Sequence, residues 1–129
     1  MINYLLTIFP VLTKEMSPLV IALAAIGFIF SSLCSITEND AKRLVAQTSI
    51  AHMNLAVIGI FCHDFTGFYG AFLLAVGHAA VSGGLFYLVG VVYSRFGVRD
   101  LNSYGGLGNV MPIFSAFLFF FVMANAGFP

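Results

Sequence analysis

Residues 18–36 read PLVIALAAIGFIFSSLCSI and contain no charged side chain. A helix needs about 20 consecutive apolar residues to cross the hydrocarbon core of a bilayer. The whole chain has the same character, since 60% of its 129 residues are hydrophobic and 8% are charged. A soluble domain carries about 25% charged residues. The sequence therefore predicts an all-α bundle of membrane-spanning helices.

Four apolar segments follow one another along the chain, at residues 18–36, 40–62, 67–96 and 112–128. Ser17 and Pro18 predict the start of the first, because serine caps helices and proline suits the first helical position. Asn39 or Asp40 is the predicted cap of the second. The last segment is short for a full span, which predicts half of a discontinuous helix. Residues 1–17 are expected at the membrane interface or packed on neighbouring helices.

The distribution of charge predicts an orientation and excludes nucleic acid as a partner. The formal net charge is zero, whereas binding to phosphates needs an excess of basic residues. One face of the predicted bundle receives Lys42, Arg43, Arg95 and Arg99, and the other receives Lys14. Basic residues mark the inner side of a membrane, so the N-terminus is expected outside.

Two histidines lie near the middle of predicted helices. His52 is twelve residues beyond Asp40, and His78 is twelve residues beyond Thr66 and enters from the opposite face. At about 1.5 Å per residue, both lie roughly 18 Å into a core about 30 Å thick. A side chain that titrates near neutral pH is costly inside lipid and suited to carrying protons. The matched depth predicts an internal polar path, while each histidine alone also fits a packed side chain bonded to a neighbour.

Hydroxyl groups accompany the histidines. Thr48 and Ser49 lie one helical turn before His52, and Lys42 lies two turns before Ser49 at the basic end. The gaps exceed a direct hydrogen bond, so water has to complete the path. Lys42 also fits a helix-end cation that extends to the membrane surface. The predicted proton-transfer residues are Lys42, Thr48, Ser49, His52, His78 and Ser82.

Other chemistry has weaker support in the sequence. Cys34 and Cys62 stand alone in apolar runs and match neither a metal-ligand spacing nor a disulfide framework, so we expect small buried side chains. The absence of paired carboxylates within a span predicts no catalytic centre in this chain. Two mid-membrane histidines also fit the axial ligands of one b-type haem. A cation/proton antiporter subunit and a structural helical scaffold are the remaining alternatives.

Several segments resemble subunit 4 of respiratory complex I, an antiporter-like, proton-pumping membrane subunit of NADH:ubiquinone oxidoreductase. Residues 40–55, DAKRLVAQTSIAHMNL, resemble its D-x-K-R-L-I-A-Y-S-S-V-A-H-M-N-L segment, and residues 78–86, HAAVSGGLF, resemble H-G-L-x-S-x-x-L-F. Further matches are GVVYSR at 90–95, YGGL at 104–107, MP at 111–112 and ANAGFP at 124–129. Gln47 and Ala79 depart from the Tyr and Gly of the family. The resemblance covers residues 18–129.

The resemblance implies that Lys42, His52 and His78 belong to the family's central hydrophilic axis and proton path. It implies no redox cofactor in this chain, with NADH, FMN, iron–sulfur clusters and quinone elsewhere in the complex. Family members are much longer, so we expect a split subunit that other chains complete, packed beside neighbouring antiporter-like subunits and lipids. The sequence shows no basic leader with a cleavage site. This predicts an organelle-encoded, multi-pass protein of the mitochondrial inner membrane, with a bacterial plasma membrane as the alternative.

Overall fold

The computed structural model describes residues 8–127 as helices joined by short loops. The three long helices are α1 (Pro10–Thr37), α2 (Ala41–Phe61) and α3 (Phe65–Phe96). After them come a 3₁₀ turn (Leu101–Tyr104), the single-turn helix α4 (Leu107–Val110) and the shorter helix α5 (Pro112–Asn125). The three long helices are long and apolar enough to cross a membrane. The predicted all-α membrane bundle is thereby confirmed.

α1 begins at Pro10, so its predicted start at Ser17 and Pro18 is wrong. Pro18 has no N–H and leaves the Lys14 carbonyl without its usual helical donor. The Ser17 hydroxyl donates to that carbonyl at 2.9 Å, which lets the helix continue through the proline. The expected interfacial or packed segment is therefore helical from Pro10 onward, and residues 1–7 lie outside the described residues.

Asp40 caps α2, in agreement with the prediction of Asn39 or Asp40. Its carboxylate accepts the backbone N–H of Lys42 at 3.0 Å. This bond satisfies one of the donors that the first turn of a helix leaves unpaired. The 21 residues of α2 span about 32 Å, and the helix is one residue shorter at each end than the predicted 40–62.

α3 begins at Phe65, two residues before its predicted start, and ends at Phe96 as predicted. Gly97 follows with φ of 67°, a left-handed conformation that glycine adopts at little cost and that ends the helix. Near the turn between α2 and α3, a Cβ on Gly67 would lie 2.7 Å from the carbonyl oxygen of Gly59. Small residues thus allow the two backbones to approach closely, as is common between membrane helices.

The core lies between the first half of α2 and the second half of α3. Its buried side chains are Ala41, Val45, Leu85 and Val89, with Val81, Tyr104 and Phe121 packed against them. α1 packs along α2, where Gly27 lies directly against the side chain of Asn54. Large apolar side chains such as Leu23, Ile26 and Phe30 are exposed on the outer face of α1. Such faces are suited to lipid or to further membrane helices.

Two loops meet at the start of α2. Asp40 and Asp100 form an isolated antiparallel bridge. Beside it, the Ala41 N–H donates to the Arg99 carbonyl at 3.0 Å. The bridge holds the start of α2 next to the end of α3, so four basic residues share one end of the bundle: Lys42, Arg43, Arg95 and Arg99. Lys14 lies near the start of α1, towards the other end.

α5 runs back along α3 and stops within the depth of the bundle. A Cβ on Gly84 would overlap the ring of Phe121, so this ring fills the space of a missing side chain on α3. The 14 residues of α5 span about 21 Å, less than the hydrocarbon core of about 30 Å. The helix ends at Asn125, before the predicted end at residue 128, because Gly127 adopts a left-handed conformation with φ of 80°.

Candidate functional site

His52 of α2 and His78 of α3 lie side by side. Their ring centroids are 5.0 Å apart, and the ring planes are tilted by 38°. Both residues are half-buried. The spacing along the sequence predicted that the two histidines lie at equal depth. Because α2 and α3 pack antiparallel, the two rings are also in contact. The structure thus brings together the two histidines of the predicted site.

The end of α5 reaches the same place. His52 Nε2 lies 2.9 Å from the backbone carbonyl oxygen of Asn125. A carbonyl oxygen is purely an acceptor, so the hydrogen of this bond belongs to Nε2. In the neutral imidazole, Nδ1 then carries the lone pair. One ring nitrogen of His52 is therefore a fixed donor, and the other is available to accept a proton.

Asn125 makes a second bond to α2. Its Nδ2 donates to the Thr48 hydroxyl oxygen at 3.2 Å. Thr48 in turn donates its hydroxyl hydrogen to the Val45 carbonyl at 2.9 Å. Asn125 was not among the residues predicted from the sequence. The available signal was an amide side chain near the end of an apolar run, since a polar group at membrane depth needs partners.

A cavity of about 220 Å³ lies beside the two imidazole rings. Its walls come from α2, α3 and the end of α5, and include His52, Gly77, His78 and Asn125. One water molecule takes up about 30 Å³ in the liquid, and it needs two to four polar partners in a protein. Apolar side chains make up most of the lining and the cavity is open on one side, so it has room for water at its polar edge, beside the two rings.

The other two predicted hydroxyls bond to their own helices. The Ser49 hydroxyl donates to the Val45 carbonyl at 2.8 Å. The Ser82 hydroxyl lies 3.5 Å from the Ala79 carbonyl, at the limit of a hydrogen bond. Both retain oxygen lone pairs that can accept from water. Among the histidine rings of residues 8–127, only that of His52 makes a hydrogen bond to another residue, the one to Asn125.

Lys42 lies apart from the histidine pair, at the basic end of the bundle. It is exposed and lines a cleft of about 60 Å³ together with Tyr93 and Arg99. The Arg99 guanidinium carbon lies 4.3 Å from the centre of the Tyr93 ring, a cation–π contact. Ten residues separate Lys42 from His52, about 15 Å along α2. Transfer between them would need a chain of water molecules.

Tyr104 lies beside the same basic end, outside the spanning helices. Burial raises the pKa of its phenol, the Asp40 carboxylate raises the pKa further, and Arg99 acts in the opposite direction. The hydroxyl lies 3.4 Å from the Val98 carbonyl. Tyr104 therefore keeps its proton at neutral pH and holds the loop in place rather than carrying protons.

The geometry does not fit the haem alternative. Axial ligands lie on opposite faces of a porphyrin, with each nitrogen about 2 Å from the metal. Two imidazoles bound to one iron have ring centroids about 6 Å apart, about 1 Å more than the 5.0 Å in this structure. His52 Nε2 is moreover already bonded to Asn125.

The two cysteines occupy different surroundings. Cys34 is half-buried in α1, and Cys62 is exposed where α2 ends. The expected burial is therefore wrong for Cys62, because the helix end carries it out of the packed interface. Over the described residues, the two thiols are not joined in a disulfide.

Fold and site together define a class: a polytopic helical membrane protein with two adjacent histidines near the middle of its long helices. The family model that matches residues 1–129 is described as NADH:quinone oxidoreductase/Mrp antiporter, TM. The chain belongs to this family.

Curated relatives agree with that membership. NADH-ubiquinone oxidoreductase chain 4 of Arabidopsis thaliana is 40% identical over 128 residues, which is 99% of this chain and 26% of the relative. NADH-quinone oxidoreductase subunit M of Rhodobacter capsulatus is 38% identical over 128 residues, 99% of this chain and 25% of the relative. NADH-ubiquinone oxidoreductase chain 4 of Chondrus crispus is also 38% identical. The chain spans about a quarter of the length of these relatives.

Proposed function

We propose that this chain is part of the proton-translocating membrane arm of an NADH:quinone oxidoreductase, as a segment of its antiporter-like subunit 4. The observation that carries the proposal is the pair of His52 and His78, whose ring centroids lie 5.0 Å apart near the middle of two apolar helices and beside a cavity. Relatives named as chain 4 or subunit M of the oxidoreductase support the choice of enzyme.

Protons pass through the histidine pair by exchange at ring nitrogens. Neutral His52 keeps its Nε2 hydrogen on the Asn125 carbonyl, so an incoming proton binds at Nδ1. The imidazolium then releases that proton to a cavity water or to His78. One imidazole ring can donate from one nitrogen and accept at the other, so a single ring serves for both uptake and release.

Lys42 is the proposed exchange point with the inner side of the membrane. It stands at the end of the bundle that gathers the basic residues, and water has to bridge the distance of about 15 Å to His52. The hydroxyl oxygens of Thr48 and Ser49 lie between them on α2 and accept hydrogen bonds from such water. Ser82 offers the same capacity one turn beyond His78.

Further membrane helices complete this bundle, because the relatives are about four times as long and large apolar side chains of the long helices are exposed. The expected split subunit takes them from other polypeptides, whereas a single longer polypeptide would carry them itself. The intact mass of the purified subunit tests this. A mass near 13.9 kDa with co-purifying membrane chains supports the split, and one covalent chain about four times as large contradicts it.

The redox reactions belong to other parts of the complex. Oxidation of NADH through FMN and iron–sulfur clusters to quinone supplies the energy, and this chain conducts protons without a redox cofactor of its own. We place it in the mitochondrial inner membrane as an organelle-encoded protein. Detection of the chain in purified mitochondrial inner membranes would support that location. Detection in a bacterial plasma membrane would contradict it and support the alternative location.

Replacement of each histidine by glutamine tests the proposal. His52→Gln retains a side-chain N–H for the Asn125 carbonyl but cannot take up a proton, so the packing is preserved while the transfer group is lost. His78→Gln removes the second transfer group in the same way. Loss of a proton-transfer group slows a reaction by about 100-fold or more. We expect NADH-driven proton translocation by the assembled complex in vesicles to fall accordingly in both variants.

Met53→Leu is the matched control, because it changes an exposed, apolar neighbour of His52 to a residue of similar volume. It should translocate protons at the native rate. If both glutamine variants also did so, the histidines would be structural, and the alternative of a helical scaffold would replace the proton path.

A cation/proton antiporter subunit is the second candidate, favoured by the family description, which names Mrp antiporters beside the oxidoreductase. The driving force separates the two. Proton movement that requires NADH and quinone supports the oxidoreductase. Proton movement driven by a sodium or potassium gradient in the absence of NADH would identify the antiporter.

A further inference from the structure

The end of α5 presents backbone carbonyls beside the histidine pair, partway along the bundle. The last four carbonyls of a helix have no partner within the helix itself. Val122 accepts the Ala126 N–H at 3.0 Å, and Ala124 accepts the Gly127 N–H at 3.2 Å. The Asn125 carbonyl accepts instead from His52 at 2.9 Å. A histidine of the proton path is thus also the donor for the end of α5.

The side chain of Asn125 holds its own carbonyl in position. Nδ2 donates to Thr48, which lies one turn before His52 on the same face of α2. Thr48 accepts because its hydroxyl hydrogen is directed to the Val45 carbonyl. One residue of α5 therefore makes two hydrogen bonds to adjacent turns of α2. We call the set of Asn125, Thr48 and His52 the Asn125 clasp.

We propose that Asn125 is a positioning residue for proton transfer: the clasp fixes the Nε2–H tautomer of neutral His52 and thereby makes Nδ1 the atom through which protons enter and leave. This inference rests on the proposed function, because it assigns a role within that proton path. Two tautomers of a free imidazole differ in which nitrogen is the acceptor. With the carbonyl held against Nε2, a proton arriving from the cavity meets one defined acceptor atom.

Loss of the amide bond frees the end of α5, so the Asn125 carbonyl no longer stays on Nε2. His52 then samples both tautomers, and a fraction of the rings presents N–H rather than the lone pair to the incoming proton. With the two tautomers equally populated, half of the rings present the lone pair at Nδ1, so translocation should fall about twofold. The reaction would be slowed without loss of the proton carrier itself.

The experiment compares Asn125→Leu and Thr48→Val with Thr48→Ser and Ser115→Ala, all in the assembled complex in vesicles. Thr48→Val removes the acceptor of the clasp at nearly constant volume, and Thr48→Ser restores a hydroxyl there. Ser115→Ala is the matched control, since Ser115 lies on α5 like Asn125 but its hydroxyl donates to the Pro112 carbonyl of the same helix. NADH-driven proton translocation should fall about twofold in Asn125→Leu and Thr48→Val. Thr48→Ser should recover the rate lost in Thr48→Val, and Ser115→Ala should translocate at the native rate.

The tautomer of His52 is the second readout, which a merely structural role would leave unchanged. Infrared ring vibrations distinguish imidazole protonated at Nε2 from imidazole protonated at Nδ1, and the band of His52 is the one lost in His52→Gln. Pure Nε2–H in the native complex and a mixture in Asn125→Leu are the expected results. Nδ1–H in the native complex, or an unchanged tautomer and rate in both Asn125→Leu and Thr48→Val, would overturn the role of the clasp.

These outcomes separate the clasp from the proposed function. If His52→Gln abolishes translocation while Asn125→Leu and Thr48→Val match the native complex, His52 carries protons without help from Asn125. If His52→Gln itself translocates at the native rate, the proton path through His52 is wrong and the role of the clasp in transfer falls with it.

Discussion

At His52, a backbone carbonyl oxygen accepts from Nε2, which leaves Nδ1 with the lone pair of the neutral ring. The Asn125 carbonyl oxygen accepts the hydrogen bond from Nε2, and the centroid of the His78 ring lies 5.0 Å from that of His52. The residue could be selected from the sequence because its depth follows from spacing. The partner could not, because Asn125 is 73 positions away and meets His52 through the turn that ends α5.

Ser17 and Pro18 illustrate the same limit at another residue. Proline inside a helix normally removes a hydrogen bond, so the sequence placed it at a helix start, but the Ser17 hydroxyl replaces the missing donor to Lys14. Ser17→Ala should lower the free energy of local opening of α1 by about 1 kcal/mol. Amide hydrogens in this part of α1 should then exchange about fivefold faster. In a Pro18→Ala background, where the backbone N–H is restored, the same change should have little effect. Hydrogen–deuterium exchange of residues 10–20 in the complex measures both.

An equal effect of Ser17→Ala in both backgrounds would show that the hydroxyl does not substitute for the proline N–H. The two single variants and the double variant form a cycle, so effects of each residue on its own are subtracted.

At the scale of elements, helix boundaries were predictable where a local cap decides them. Asp40 starts α2 by accepting from Lys42, which capping preferences foresee. The end of α5 differs because Gly127 turns the backbone into the left-handed region. A glycine permits that conformation without requiring it, so the sequence predicted a longer helix. The position of α5 against α3 likewise depends on the contact between Gly84 and Phe121, which no local sequence pattern predicts.

The contact between α3 and α5 gives a prediction with an internal control. Gly84→Ala places a methyl group into the Phe121 ring, whereas Gly83→Ala on the preceding residue meets nothing within 4 Å. Displacement of the ring should shift α5 and its Asn125, so we expect slower proton translocation in Gly84→Ala and native translocation in Gly83→Ala. The added variant Phe121→Leu in Gly84→Ala should recover part of the rate, since it removes the clash.

Native translocation in Gly84→Ala would mean that the Phe121 ring turns aside without moving α5. Equal losses in Gly83→Ala and Gly84→Ala would point to helix propensity rather than packing. In either case the close contact would not set the position of α5.

At the scale of the whole molecule, the charge asymmetry predicts which end faces inward. The bridge between Asp40 and Asp100 gathers the basic residues at one end, and basic ends face the inner side of a membrane. Ser103 lies at that end and His63 lies at the other, and both are exposed. Ser103→Cys should therefore react with a membrane-impermeant maleimide from the inner side, and His63→Cys from the outer side.

This labelling is measured in sealed vesicles of both orientations, with Cys34 and Cys62 replaced by alanine. Labelling of Ser103→Cys from the outer side and of His63→Cys from the inner side would reverse the orientation and move Lys42 to the opposite face. The position of the histidine pair near mid-depth would be unaffected.

The central claim is that His52 and His78 carry protons. The most direct measurement is the rate of NADH-driven proton translocation by vesicles containing His52→Gln, normalised to NADH oxidation by an artificial acceptor that does not use the membrane arm. The account predicts a loss of about 100-fold or more with the complex fully assembled. A normalised rate equal to that of the native complex would contradict it.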